Sequence, residues 1–236
     1  MIRLLLLDCN LDNDSWGAPH IRTWLAKLSP NTQVDTRRPP HGDLPTSTAQ
    51  YDGLVLSGSR ARLTDKDPWI LRYREFLRKE IESDTPLFGI CFGFQLLAQE
   101  LGGQEIAGKA AQHEVGWFTV DASHPQPHLI NSGLPKHFWV SQNHFDAVYT
   151  PPPETVPLFA STRCPVQGFQ HLEKPLAGVQ FHPEHRFGQE GGRSQKGLFI
   201  EPSEKEKQKI LASHSKTMEA LLLNVVEKLF LGKRSH

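Results

Sequence analysis

Pro86-Leu87-Phe88-Gly89-Ile90-Cys91-Phe92-Gly93-Phe94-Gln95 is the stretch on which the fold turns. Pro86 to Ile90 reads as a short apolar strand of the kind buried inside a parallel sheet. Phe92 to Leu101 reads as a helix closed by Gly102-Gly103. Only Cys91 stands between the two, and a turn that tight needs small neighbours, which accounts for Gly89 and Gly93. The side chain at the centre of such an elbow projects at the N-terminus of the following helix. The positive helix end and its oriented N–H groups favour thiolate over thiol. A buried cysteine with no chemistry is the commoner fate of a single cysteine. Two glycines flanking it at a strand end favour a nucleophile.

Outward from this elbow, strand and helix alternate. Upstream, Ile2–Leu7 is an apolar strand, Pro19–Ser29 carries Ile21, Trp24, Leu25 and Leu28 at helical spacing, and Thr32–Thr36 is a short strand before the Pro39-Pro40 break. Tyr51–Leu56 is a strand ending at Ser57-Gly58-Ser59. Pro68–Ser83 is an amphipathic helix with Ile70, Tyr73, Leu77 and Ile81 on one face and Asp67 as N-cap. This order predicts a doubly wound α/β fold. Downstream, short β-type runs at Val115–Val120, Phe138–Val140, Pro157–Ala160, Val166–Phe169 and Leu176–Phe181 are separated by Pro- and Gly-rich turns, as antiparallel additions would be. Glu184–Ile200 is glycine-rich and ambiguous. Ser203, with Glu206 three residues on, opens a helix expected to reach about Phe230. With no repeat and no linker, residues 1–236 are expected to form one domain.

The 236 residues hold 26 Lys+Arg against 26 Asp+Glu, a balance that argues against nucleic-acid or anionic-membrane binding. No apolar run reaches the ~18 to 20 residues of a membrane-spanning helix. The Leu4–Leu7 run ahead of Cys9 is too short for a secretory segment, so a cytoplasmic location is expected. Three scattered cysteines, Cys9, Cys91 and Cys164, provide no disulfide framework. His182 with His185, and His124 with His128, stand at spacings that metals use, but no carboxylate–histidine cluster goes with them in the sequence. No metal and no cofactor are expected. Lys205 to Lys209 reads as a solvated helix face.

A cysteine nucleophile needs a base and a group to orient it. Gly178-Val179-Gln180-Phe181-His182-Pro183-Glu184 supplies both at a strand end: His182 to take and return a proton, Glu184 to hold the imidazole. Together, Gly-Ile-Cys-Phe-Gly-Phe-Gln and Gly-Val-Gln-Phe-His-Pro-Glu resemble the class I, triad-type glutamine amidotransferase family. The resemblance runs from the first strand to Glu184 and does not cover the tail.

The resemblance implies a flavodoxin-like, mostly parallel sheet and hydrolysis of a γ-glutamyl amide through a cysteine thioester. Cys91, His182 and Glu184 fall on the family's nucleophile, base and orienting acid. Gln95 falls on its substrate-contacting glutamine. Ser141-Gln142-Asn143-His144 resembles a loop that holds the amino and carboxylate ends of glutamine, and Val115-Gly116-Trp117 a segment framing the pocket. Many members carry Gly-Gly-Pro or Asn-Gly-Pro after the third strand, where this chain has Ser57-Gly58-Ser59-Arg60. A backbone donor survives a side-chain change, so the N–H of Gly58 or Ser59 is expected to join that of Phe92 in an oxyanion hole. The Gly-Ser-Arg form, with Asp67-Pro68-Trp69, is more similar to stand-alone members resembling GMP synthase amidotransferase domains and to γ-glutamyl peptidases. Two activities are therefore expected to compete: ammonia supply to a separate synthetase in trans, and hydrolysis of glutathione-like γ-glutamyl peptides.

Overall fold

The structure, a computed structural model, describes residues 1–12, 17–28, 31–123, 126–127, 129–188 and 198–232. Ser29, His124, His128 and the centre of the glycine-rich stretch at 189–197 lie outside the described residues.

Nine strands form one sheet: β1 (Ile2–Leu7), β2 (Thr32–Arg37), β3 (Gly53–Leu56), β4 (Leu87–Ile90), β5 (Ala107–Ala122), β6 (His137–Val148), β7 (Thr155–Ala160), β8 (Gly168–His171) and β9 (Leu176–Val179). Their order is β2-β1-β3-β4-β9-β8-β7-β5-β6. The first five in that order are parallel, and β8, β7, β5 and β6 extend the sheet antiparallel. The expected doubly wound, mostly parallel sheet with antiparallel additions is what forms.

The period-two pattern of β1 assigns the two faces. Leu4 and Leu6 pack with Trp24 and Leu25 of α1 (Ala18–Leu28) and Met218 and Leu221 of α4 (Glu204–Asn224). Leu5 and Leu7 pack with Ile70, Tyr73 and Leu77 of α2 (Pro68–Glu82) and with Phe94 and Leu97 of α3 (Phe92–Gly102). Both faces of the parallel half are thus covered, which explains why its strands read as unbroken apolar runs.

Several expectations need correction. Asp67 occupies the N-cap of α2, but its side chain makes no capping bond; its backbone carbonyl accepts from Ile70 N at 2.9 Å instead. Ser203 does form a reciprocal capping box with Glu206. The C-terminal helix is α up to Asn224 and widens to π-helical geometry over Val225–Phe230. The runs at Val115–Val120 and Phe138–Val140 are fragments of the much longer hairpin β5–β6, whose polar residues hid its length. Consequently Ser141 to His144 lie within strand β6 and not on a loop. The strand expected at Val166–Phe169 is Gly168–His171, and β9 ends at Val179, leaving Gln180 and Phe181 to carry the chain toward His182.

Candidate active site

In an open parallel sheet the strand C-termini form the crevice in which ligands bind. Here β3 delivers Ser57 to Arg60, β4 delivers Cys91, and β9 delivers His182 and Glu184. Cys91 has φ 51° and ψ −107°, a conformation that costs a side-chain-bearing residue energy and persists only where its surroundings enforce it. The enforcement is visible in its neighbours. A Cβ on Gly89 would lie 2.6 Å from Phe94 N, and one on Gly93 would lie 2.6 Å from Leu56 O. Strand, turn and helix touch backbone to backbone, so no larger residue fits on either side of the cysteine.

The His182 N–H donates to Ser141 O at 2.9 Å, which ties the loop after β9 to β6. Its Nδ1 lies 2.8 Å from Glu184 Oε1, and its side chain hydrogen-bonds Cys91. All three side chains are buried. Burial by itself would hold the imidazole neutral; the Glu184 carboxylate and then Cys91 outweigh it and raise the His182 pKa to about 10. The ring is therefore held as an imidazolium at neutral pH, facing sulfur on one edge and carboxylate on the other.

A raised folded-state pKa stabilises fully below the unfolded value and is lost as pH climbs through the folded one. The His182–Glu184 couple should thus stabilise most below about pH 6.5 and progressively less toward about pH 10. The unfolding free energy of wild type minus that of Glu184→Gln should shrink across that window in urea titrations. A difference that grows with pH would contradict the pairing.

Gly58 abuts both partners: a Cβ there would stand 3.0 Å from His182 Cε1 and 3.4 Å from Cys91 Cβ. Ser57 Oγ accepts from Cys9 N at 2.9 Å and donates to Gly58 O at 2.9 Å, fixing the peptide between Gly58 and Ser59. Because an amide N–H points opposite to its carbonyl, the Ser59 N–H faces away from Ser57.

The remaining expected contacts divide. Gln95, beside Cys91 in a cleft of about 650 Å³, commits Nε2 to Asp146 O (2.7 Å) and Gln180 Oε1 (3.0 Å). Its amide oxygen is the part left for a ligand. Asn143 is exposed, and its carbonyl lies 3.9 Å from Cys91 Sγ. Gln142 and His144 do not reach out. Gln142 Nε2 donates to Gln167 Oε1, while His144 lies 2.9 Å from Asp146 O through Nδ1 and 2.9 Å from Glu114 Oε2 through Nε2. Alternation along β6 turns these two side chains into a buried polar network beneath the cleft, so they shape the floor and do not touch a ligand. Sequence reasoning missed Glu114, Gln167 and Asp146, the last clasped by Arg62, whose Nε donates at 2.8 Å. The signal was their shared parity on β5 and β6, invisible until the hairpin's length was known.

A carboxylate–histidine cluster does exist, contrary to expectation: His182, Glu184 and His185 have potential ligand atoms within 4.8 Å of one another. The two rings are stacked with planes only 7° apart, so their in-plane lone pairs run side by side and do not converge on an ion.

Residues 23–201 match the profile of the family described as glutamine amidotransferase class-I. The chain is 35% identical over 160 residues to the glutamine-hydrolyzing subunit of GMP synthase from Thermoplasma volcanium, covering 68% of this chain and 75% of that one. It is 31% identical over 158 residues to the protein of the same name from Thermoplasma acidophilum, with 67% and 76% covered. A crystal structure of a glutamine amidotransferase from Thermotoga maritima superposes with TM-score 0.76 at 21% identity, covering 98% of each chain, which places the fold among flavodoxin-like sheets. The fold, the matched residues and the two relatives agree, and the chain belongs to the class-I glutamine amidotransferase family.

Proposed function

We propose that this chain hydrolyses the side-chain amide of glutamine through a thioester on Cys91 and passes the ammonia to a separate acceptor enzyme. The observation that carries the reading is the strained Cys91 facing a His182 whose far nitrogen is held at 2.8 Å by Glu184. The sulfur attacks the γ-carbonyl carbon, and the carbonyl electron pair moves to oxygen, where the N–H groups of Phe92 and of Gly58 or Ser59 receive the charge. His182 gives its proton to the departing nitrogen, and ammonia leaves as the carbonyl reforms. Neutral His182 then takes a proton from water, which attacks the thioester and releases glutamate and the thiolate. Gln95 Oε1 and the backbone at Asn143 hold the α-amino end. Both relatives are single components of a synthase, which supports an acceptor on another chain.

One observation favours a second reading, hydrolysis of N-substituted γ-glutamyl amides. A further cleft opens on the His182 side, lined by Asn10, Gly17, Val115, His185 and Phe199, and it shares Ser59, Arg60 and Asn143 with the cleft beside Cys91. His182 delivers its proton there, so a leaving amine larger than ammonia has space to occupy. The test is glutamate release from glutamine, glutathione and γ-glutamyl dipeptides, with and without an added synthetase. Glutamine turnover that rises many-fold with the synthetase supports the amidotransferase reading. Peptide cleavage at ~1 s⁻¹ or more with glutamine nearly untouched supports the peptidase.

A further inference from the structure

Helix α4 begins at Glu204, beyond the residues matched by the family profile, yet it reaches the site. His214, 2% exposed, places Nε2 2.9 Å from His185 O and Nδ1 2.9 Å from Trp139 O. Only the doubly protonated ring donates to both carbonyls. Trp117 packs against it, ring centroids 4.7 Å apart and planes at 90°. His185, anchored in this way through its backbone, lays its own ring on that of His182, with centroids 4.4 Å apart and planes within 7°. The His185 ring is in turn fixed by Ser141 Oγ, 2.9 Å from Nδ1. Ser141 also accepts the His182 N–H on its carbonyl, so one residue of β6 holds both histidines.

The stack answers a mechanical need. Glu184 grips the His182 ring at a single point, Nδ1, which leaves the ring free to swing about that contact. A swing of a few tens of degrees misaligns Nε2 with sulfur, and hydrogen-bond strength falls steeply with angle. A flat surface against the ring face prevents it. His185 is that surface, and it is held to β6 through its ring and to α4 through its carbonyl.

We infer that His185 and His214 are positioning residues for the Cys91–His182 pair, and that helix α4 thereby belongs to the catalytic apparatus. The inference rests on the assignment of His182 as the base. Its test compares His185→Ala with His185→Phe, and His214→Leu with His214→Gln, in the full chain. Kinetics, melting temperature and the rate of Cys91 alkylation by iodoacetamide are read in parallel. His185→Ala and His214→Leu should lower kcat by ~10- to 100-fold, the penalty of a small misplacement, with KM within about twofold. Cys91 alkylation should slow in the same variants. Phenylalanine in place of His185 restores a flat ring, and glutamine in place of His214 restores a donor to His185 O; each should recover most of the loss.

A His185→Phe variant as impaired as His185→Ala, or kcat unchanged in both truncations, would overturn the inference. If His214→Leu fails to fold, His214→Gln and the two substitutions of His185 still decide it. If wild type hydrolyses no γ-glutamyl compound with or without a synthetase, the proposed function fails alone. Alkylation then still reports whether the stack holds His182 on the sulfur.

Discussion

Cys91→Ser should fold as wild type does and release glutamate from glutamine at least about 10³-fold more slowly, beyond ordinary detection. An alcohol in the same elbow is far harder to ionise than a thiol, and an imidazolium already carrying its proton cannot deprotonate it. His182→Ala should be nearly as damaging, since it removes both the counter-charge and the donor to the leaving nitrogen. Glu184→Gln should cost less, about 10- to 10²-fold, because an amide still fixes the ring while losing the charge that sustains the imidazolium. Iodoacetamide supplies the control on mechanism. Burial pushes the Cys9 thiol far up, and burial together with Glu114 pushes Cys164 to about 12, while neither side chain is exposed. Cys91 alone opens onto a cleft beside a cation. Mass spectrometry should find one alkylated cysteine near neutral pH; equal labelling of the three would remove the special standing of Cys91.

How legible the chain is differs between the two halves of the sheet. In the parallel half, strands buried on both faces spell apolar runs, and helix ends are punctuated by Pro68, Gly102 and Gly103; expected and observed boundaries there agree within a residue or two. The antiparallel half hides because its long hairpin buries polar groups. Glu114, Gln142, His144 and Gln167 satisfy one another, so alternation of apolar with polar never appears. Cys91, His182 and Glu184 are legible because each sits at the end of a parallel strand in a sequence with its own local signature. Ser141, His185 and His214 are not, since their roles depend on contacts between β6, the turn after β9 and α4, which are far apart in the chain. For the same reason the motif alone makes His144 look like a ligand contact. A motif marks a position, and only the parity of the strand says which way its side chain faces.

The elbow's packing sets the second large effect, which Gly93→Ala exposes. A single methyl there meets Leu56 Cβ and Leu56 O, each at 2.6 Å. Leu56 belongs to β3, held between β1 and β4 in the middle of the parallel sheet, so it has no cheap direction in which to retreat. The added carbon must instead push the first turn of α3 away from β3. Overpacking of this kind costs about 1–3 kcal/mol, which for a chain of this size lowers the melting temperature by about 2–4 °C per kcal/mol. Activity should suffer out of proportion. Phe92 and Cys91 ride on α3 and its elbow while Gly58 and Ser59 follow β3, so the same displacement separates the two N–H groups that must meet at one oxygen. We expect kcat to fall by ~10²-fold at temperatures well below the melt. Gly42→Ala is the control for substitution as such. Gly42 has φ 77° with nothing within 4 Å of an added Cβ, so it should cost roughly 1 kcal/mol of backbone strain and leave kcat alone. Were Gly93→Ala to behave like Gly42→Ala, with a modest melting shift and normal turnover, close contact between α3 and β3 would not be what holds Cys91 in its strained conformation.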